Sequence, residues 1–221
     1  MSFHHSETIV VLDFETTGMD PEQGDRVIEV GAILLRGNEI VERFQSLVHP
    51  GFLVTREIET ITGISNAMLA DAPPADQVMT DFNKFIDTHP LVAHNASFDR
   101  KFLEAELRLL GKTRPLNFGC SLQVARRIYP DVINYKLETL ARYKNLPANG
   151  QFHRALADAE IAAALWIRLM DDIKTTYGFE DVDFELMKNI ARQSREQVNA
   201  FLQKEAEEAR RNPTGMTGSL F

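Results

Sequence analysis

Thr8-Ile-Val-Val-Leu-Asp-Phe-Glu-Thr-Thr-Gly18 is the run from which the rest of the chain can be ordered. Its first half is crowded with β-branched and apolar residues and reads as a buried strand, which Thr16-Thr17-Gly18 then breaks. Side chains alternate between the faces of a strand, so Asp13 and Glu15 share one face while Phe14 enters the opposite layer. Two neighbouring carboxylates repel each other unless something neutralises them. A shared divalent cation does so economically; a solvated strand end is the plainer alternative for Asp-x-Glu taken alone.

Working outward, residues 26–35 read as a second strand, and Gly37-Asn38 separates it from a third at 39–48, a hairpin pattern. After Pro73-Pro74, the spacing of Val78, Phe82, Phe85 and Ile86 predicts a helix that stops before Pro90. Leu91-Val-Ala-His94 is then a short fourth strand, entered from a helix and so expected to run parallel to the first. Ser97 is expected to cap a following helix that lines one face with Phe98, Phe102, Ala105 and Leu109. A fifth strand is placed near 117–121, short helices at 122–129 and 136–144, and a longer helix from about Ala155 carrying Ile161, Leu165 and Leu169. This is an α/β pattern.

The organisation read from this is one main domain at 1–175, a charged amphipathic helical extension at 176–211 and a flexible tail at 212–221. Within the extension a single helix at 183–211 is expected, packing on the core or pairing between subunits. With 44% hydrophobic and 25% charged residues in 221, the composition is that of a globular protein with one substantial core. No signal-like amino terminus and no membrane-length apolar run is present, and Cys120 is the single cysteine, so a cytoplasmic protein with no membrane contact is expected. The net charge of −8 argues against coating long stretches of nucleic acid, which requires neutralising many phosphates, but allows gripping a short end.

Two later segments supply partners for Asp13 and Glu15. His94-Asn95-Ala96-Ser97-Phe98-Asp99 spans a strand-to-helix handover and puts Asp99 in a first helical turn at the sheet's carboxyl edge, where α/β sheets bind ligands. A helix-dipole acid is the bland reading of Asp99 alone. In His153-Arg-Ala-Leu-Ala-Asp158 a spacing of five would separate the two side chains by about 140° on a continuous helix. They can converge if His153 lies on the loop entering the helix, next to the irregular backbone of Asn149-Gly150. Four carboxylates suit Mg²⁺ or Mn²⁺ rather than zinc, and two such ions can orient water and stabilise the departing oxygen. His153 is then placed to accept a proton from that water.

Taken in order, Asp13-Phe-Glu15-Thr-Thr-Gly18, His94-Asn-x-x-Phe-Asp99 and His153-x-x-x-x-Asp158 resemble the three motifs of the DnaQ-like (DEDDh) 3′→5′ exonucleases, the family of the proofreading epsilon subunit of bacterial DNA polymerase III. The resemblance covers about residues 7–173. It implies a ribonuclease H-like fold, a five-stranded mixed sheet with helices on both faces, and release of nucleoside 5′-monophosphates from a nucleic acid 3′ end. It also implies two ions held by Asp13, Glu15, Asp99 and Asp158, with His153 as the catalytic histidine. Thr16 matches a position whose backbone meets the terminal nucleotide. The stretch from Glu57 to Thr62-Gly63-Ile64 resembles the loop holding the last sugar and base, with Glu57 at the 3′-hydroxyl and Ile64 against a base. Asn95 and Phe98 position the second motif, and Phe98 packs near substrate. Cys120-Ser121-Leu122 departs from a frequent Asp-Thr-Leu, which leaves the subgroup open.

An aspartyl phosphatase is disfavoured because Glu15 stands where its second Asp belongs. An RNA-trimming exoribonuclease and a silent nucleic-acid-binding scaffold remain open, since the metal-site acids do not read the 2′-hydroxyl. Gly218-Ser219-Leu220-Phe221 loosely resembles clamp-docking peptides but lacks their Gln, so a polymerase or sliding-clamp contact through the C-terminal region stands beside a plain flexible end.

Overall fold

The strand alternation read from the first motif organises the whole molecule in the computed structural model, which describes residues 7–147 and 154–211. Strand β1 (Thr8–Thr16) sends Val10, Leu12 and Phe14 into one apolar layer and Ile9 and Val11 into the other. Antiparallel to it lies β2 (Val27–Arg36), and antiparallel to β2 lies β3 (Glu39–Leu47) across the Gly37-Asn38 turn. On the other side of β1, β4 (Leu91–Ala93) and β5 (Phe118–Cys120) pair in parallel, giving one mixed five-stranded sheet of order β3-β2-β1-β4-β5. The expected parallel entry of the fourth strand is thus found.

Helices cover both faces. Against Val10, Leu12 and Phe14 pack α3 (Ala75–Ile86), through Val78, Met79, Phe82 and Ile86, and α4 (Ala96–Leu109), through Phe102, Leu103 and Leu107. Phe14 meets Phe82 edge to face, with ring centroids 5.7 Å apart. The opposite face carries α5 (Ser121–Ile128), α6 (Leu137–Tyr143) and the long α7 (Ala155–Tyr177), whose Trp166 is fully buried. Among the described residues no helix is long and apolar enough to cross a membrane.

The α4 face differs from the expected one. Asn95, at φ +72°, turns the chain, the helix begins at Ala96, and Ser97 falls inside its first turn rather than capping it. Leu109 is exposed while Glu106 is buried, because Arg26 forms a two-pronged ion pair with Glu106 (Nε–Oε1 and Nη2–Oε2 both 2.8 Å) that makes a buried carboxylate tolerable. The single helix expected at 183–211 is two, α8 (Phe184–Arg192) and α9 (Val198–Arg211). Gln193 is extended, and Ser194 accepts from the backbone N–H of Gln197 at 3.2 Å, capping the second helix in the manner typical of serine. Both helices bury their apolar faces in the layer that holds α7. Gly119 on β5 makes this possible: a Cβ there would come within 2.8 Å of Trp166 and 2.9 Å of Phe184. Asn149-Gly150, His153 and the tail at 212–221 lie outside the described residues.

Candidate functional site

Asp13 and Glu15 stand on the β1 face that α7 covers, at the end of the strand where its pairing with β2 shifts between Glu15 and Thr16. Short β4 ends at Ala93, so the N–H of Phe14 has no strand partner on that side. It donates instead to Asp99 Oδ1 at 3.2 Å. Asp99 is thereby pinned beneath the first motif from the first turn of α4, with only 2% of its surface exposed.

The fourth carboxylate arrives with α7. Gly31 and Glu29 lie on the same face of β2 as their register partners Asp13 and Glu15 do on β1, and α7 starts directly on top of them. A Cβ on Gly31 would stand 2.1 Å from the backbone of Ala155 and Leu156, so only glycine admits the helix this close. Glu29, fully buried, clamps the helix entry: its carboxylate accepts from Arg154 Nη2 at 2.8 Å, from Arg154 Nε at 3.2 Å and from the Ala155 N–H at 3.1 Å. Asp158, one turn further on, then brings a carboxylate oxygen within 4.8 Å of one from Asp13 and one from Glu15.

Such crowding is electrostatically costly. Burial, and then repulsion by Asp99, Glu15, Asp158 and Glu29, hold the Asp13 carboxyl well above the usual carboxylate range. Burial and the charges of Asp158, Glu29 and Asp99 push Glu15 up to about 8, against the opposing field of Arg154. Burial raises Asp99 to about 7, partly offset by the backbone N–H groups it accepts from. Acids in this state gain most from a cation that neutralises several of them together.

The remaining predicted residues divide. Thr16 is buried and its hydroxyl donates to the Gly18 carbonyl at 2.6 Å, tying up the turn beside Glu15. Asn95 is exposed at the edge of the site, and Phe98 is half-buried against Phe102 with the Lys101 ammonium 5.4 Å from its ring centre. Glu57 and Thr62 lie on a short helix, α1 (Arg56–Thr62), where a loop was expected; α2 (Asn66–Ala70) follows. Glu57 is exposed, whereas the Thr62 hydroxyl is used within the turn, donating to the Ile58 carbonyl and accepting from the Ile64 N–H. Ile64 is fully buried with Ile28, Val54 and Leu69, so its side chain has no surface to offer a base; it is a core residue.

Three contributors were not singled out from sequence. Glu29 and Arg154 are the clamp just described; a lone acid inside the apolar run Val27–Ala32, two positions from a glycine, was the available signal. His94 is the third. Its Nε2 lies 2.8 Å from the Tyr135 carbonyl and its Nδ1 2.9 Å from the Ser121 hydroxyl, so the Nε2–H tautomer donates to the first and accepts from the second. Burial drives its pKa down to about 4, keeping it neutral and joining the end of β4 to the segment before α6.

A family model for exonucleases matches residues 10–166. The chain belongs to the DnaQ-like exonuclease family. It is 34% identical to the DNA polymerase III epsilon subunit of Aquifex aeolicus over 175 residues, 79% of this chain and 86% of that one. It is 38% identical to the PolC-type DNA polymerase III of Bacillus subtilis over 168 residues, but spans only 12% of that protein's length. A solved structure of exonuclease X in complex with 5′ overhanging duplex DNA is 29% identical, with a TM-score of 0.64 over 83% of this chain and 99% of that one. The sheet order and helix layers are those of a ribonuclease H-like exonuclease.

Membership implies an enzyme that acts on nucleic acid and depends on a divalent metal ion. The donor set fits: Asp13, Glu15 and Asp158 offer only carboxylate oxygens, the chemistry that hard cations prefer. Beside these acids this exonuclease has a cavity of about 700 Å³ whose lining includes Asp13, Asp158, His94 and Asn95 together with Arg126, Lys136 and Glu138.

Proposed function

We propose that the chain is a 3′→5′ exonuclease that hydrolyses the terminal phosphodiester of single-stranded DNA or a frayed DNA 3′ end and releases nucleoside 5′-monophosphates. The observation that carries this is the meeting of Asp13, Glu15 and Asp158 oxygens within 4.8 Å, with Asp99 tied to the intervening Phe14 backbone. In this reading the four acids hold two ions, Mg²⁺ or Mn²⁺. When bound, such cations neutralise the phosphate and make water acidic enough to yield a nucleophile near neutral pH.

The chain's own residues supply the rest. The four carboxylates are pre-assembled by β1, α4 and α7, so little reorganisation is needed when substrate arrives. His153, immediately before Arg154 in sequence, is the general base, taking a proton from the attacking water. Thr16, Glu57, Thr62, Asn95 and Phe98 border the terminal nucleotide, with Thr16 acting through its backbone and Phe98 offering a ring edge to a base. The burial of Ile64 removes it from that set.

DNA rather than RNA is favoured by the relatives' names, which are those of replication polymerase subunits. The epsilon relative's name supports a polymerase contact, and in this reading that contact, or one with a sliding clamp, is made through the C-terminal region 176–221. A 3′-tailed oligonucleotide and its RNA counterpart, each labelled at the 5′ end, test the reading. DNA should shorten stepwise from the 3′ end with Mg²⁺ or Mn²⁺ and stay intact with a chelator. Faster loss of the RNA would transfer the assignment to an exoribonuclease, and loss of neither would leave a binding scaffold.

A further inference from the structure

The far wall of the cavity beside the acids has the opposite character to its catalytic end. Two guanidinium groups approach the ring of Tyr135, which lines the cavity: Arg126 from α5, also in the lining, at 5.8 Å and Arg195 from the α8–α9 connection, outside the lining, at 5.6 Å from the ring centre, with Arg195 also donating to the tyrosine hydroxyl at 3.1 Å. Lys136 follows in the chain and lines the same cavity. Arg126, Lys136 and Arg195 are all exposed, and among the described residues none of them enters an ion pair. In a chain of net charge −8, two exposed guanidinium groups on one aromatic ring with an exposed lysine next to it in the chain are conspicuous. Ile133, two residues before Tyr135 and next to the cavity-lining Asn134 in the chain, is 96% exposed.

We propose that this wall is the binding site for the nucleotides upstream of the scissile bond, with Arg126, Lys136 and Arg195 meeting successive phosphates of a single strand and Ile133 supporting a base. The proposal rests on the functional reading above, which puts the terminal nucleotide by Thr16, Glu57, Thr62, Asn95 and Phe98; of these Asn95, in the second motif, alone lines the cavity. A strand whose scissile phosphate sits at Asp13 and Asp158 then leaves along the cavity past Arg126 and Lys136, while Glu138, the acid that also lines it, is paired with Arg142. Cations stacked on a ring are held in place while their outward donors stay available for phosphate oxygens. His94 links this wall to the site, since the carbonyl it bonds belongs to Tyr135 itself. Through Arg195 the C-terminal helices also contribute to substrate grip.

The test uses the full chain and oligothymidylates of two and ten residues. The variants are Arg126→Glu with Lys136→Glu, the milder Arg126→Gln with Lys136→Gln, and Lys204→Glu on α9 as a charge control remote from the cavity. For the wild type, kcat/KM should favour the ten-residue strand. Both double variants should reduce that preference, by about tenfold for the charge reversal, acting mainly through KM. The slope of log affinity against log salt should become shallower by about 0.7 for each lost phosphate contact. Lys204→Glu should leave the length preference as it is. Binding of a fluorescent ten-residue strand in calcium, without turnover, gives a second reading. Binding that weakens in the double variants while hydrolysis is absent in all proteins would keep the wall and discard the exonuclease reading. An undiminished length preference and salt slope in folded double variants would overturn the wall, whatever the enzyme's activity.

Discussion

Glu15 on β1 and Glu29 on β2 are direct cross-strand partners, two carboxylates in register on one sheet face. Like charges so placed destabilise a sheet unless one is neutralised. Here Arg154 closes on Glu29, which fastens the start of α7 and leaves Glu15 to the acid cluster. Removing the guanidinium strands a buried charge, so Arg154→Ala should cost about 3 kcal/mol and displace Asp158, lowering kcat. The double variant Glu29→Gln, Arg154→Ala should be more stable than Arg154→Ala alone. Chemical denaturation of the four members of the cycle checks this, and simple additivity would refute the coupling.

The acid cluster sets a pH dependence with a definite sign. Glu15 rises from 4.5 to about 8 in the folded chain, so without metal the fold binds more protons than the unfolded state between those values. Stability of the metal-free protein from this source should therefore fall as pH rises from about 4.5 to 8. Mn²⁺ should reverse the loss, raising Tm at pH 8 by on the order of 5–10 °C at a hundred times its Kd, and by less at pH 6. Asp13→Asn should raise the metal-free Tm at pH 8 while abolishing both the Mn²⁺ increment and turnover. Differential scanning calorimetry with and without Mn²⁺ measures all of these.

His153→Ala should retain the Mn²⁺ increment in Tm yet slow hydrolysis about 10²–10⁴-fold. Calorimetry and single-turnover kinetics on one preparation separate the two effects. Parallel loss of both would make the histidine a positioning residue instead of a base.

His94 gives the opposite sign. Its pKa falls from 6.5 to about 4 on folding, so its contribution is complete above pH 6.5 and is lost as pH drops towards 4. The Tm gap between wild type and His94→Gln should shrink across that interval. A gap independent of pH would mean that the imidazole does not hold the Tyr135 segment as a neutral donor.

Much of this was legible in sequence wherever a simple period operates. The alternation of Val10, Leu12 and Phe14 against Val11, Asp13 and Glu15 located both the sheet and the acids, and it needs no tertiary information. Reading failed where tertiary partners override pattern. Glu106 looks like a solvent residue until Arg26, distant in sequence, neutralises it, and that shifted the buried face of α4. The helices α1 and α2 are too short to show a period and depend on the caps at Thr55 and Ser65, whose hydroxyls accept from the Ile58 and Met68 N–H groups. Ile64 was set against a base by the family resemblance, and no local pattern reveals that Ile28 and Val54, from elsewhere in the chain, bury it.

The central claim is that Asp13, Glu15, Asp99 and Asp158 surround divalent ions at one sheet edge. Anomalous diffraction from a crystal grown in manganese chloride tests it most directly. Peaks should appear among these carboxylates, with oxygens about 2.0–2.3 Å away, and should vanish in Asp13→Asn. Strong manganese peaks elsewhere on the protein, with these four side chains bare at the same concentration, would contradict it.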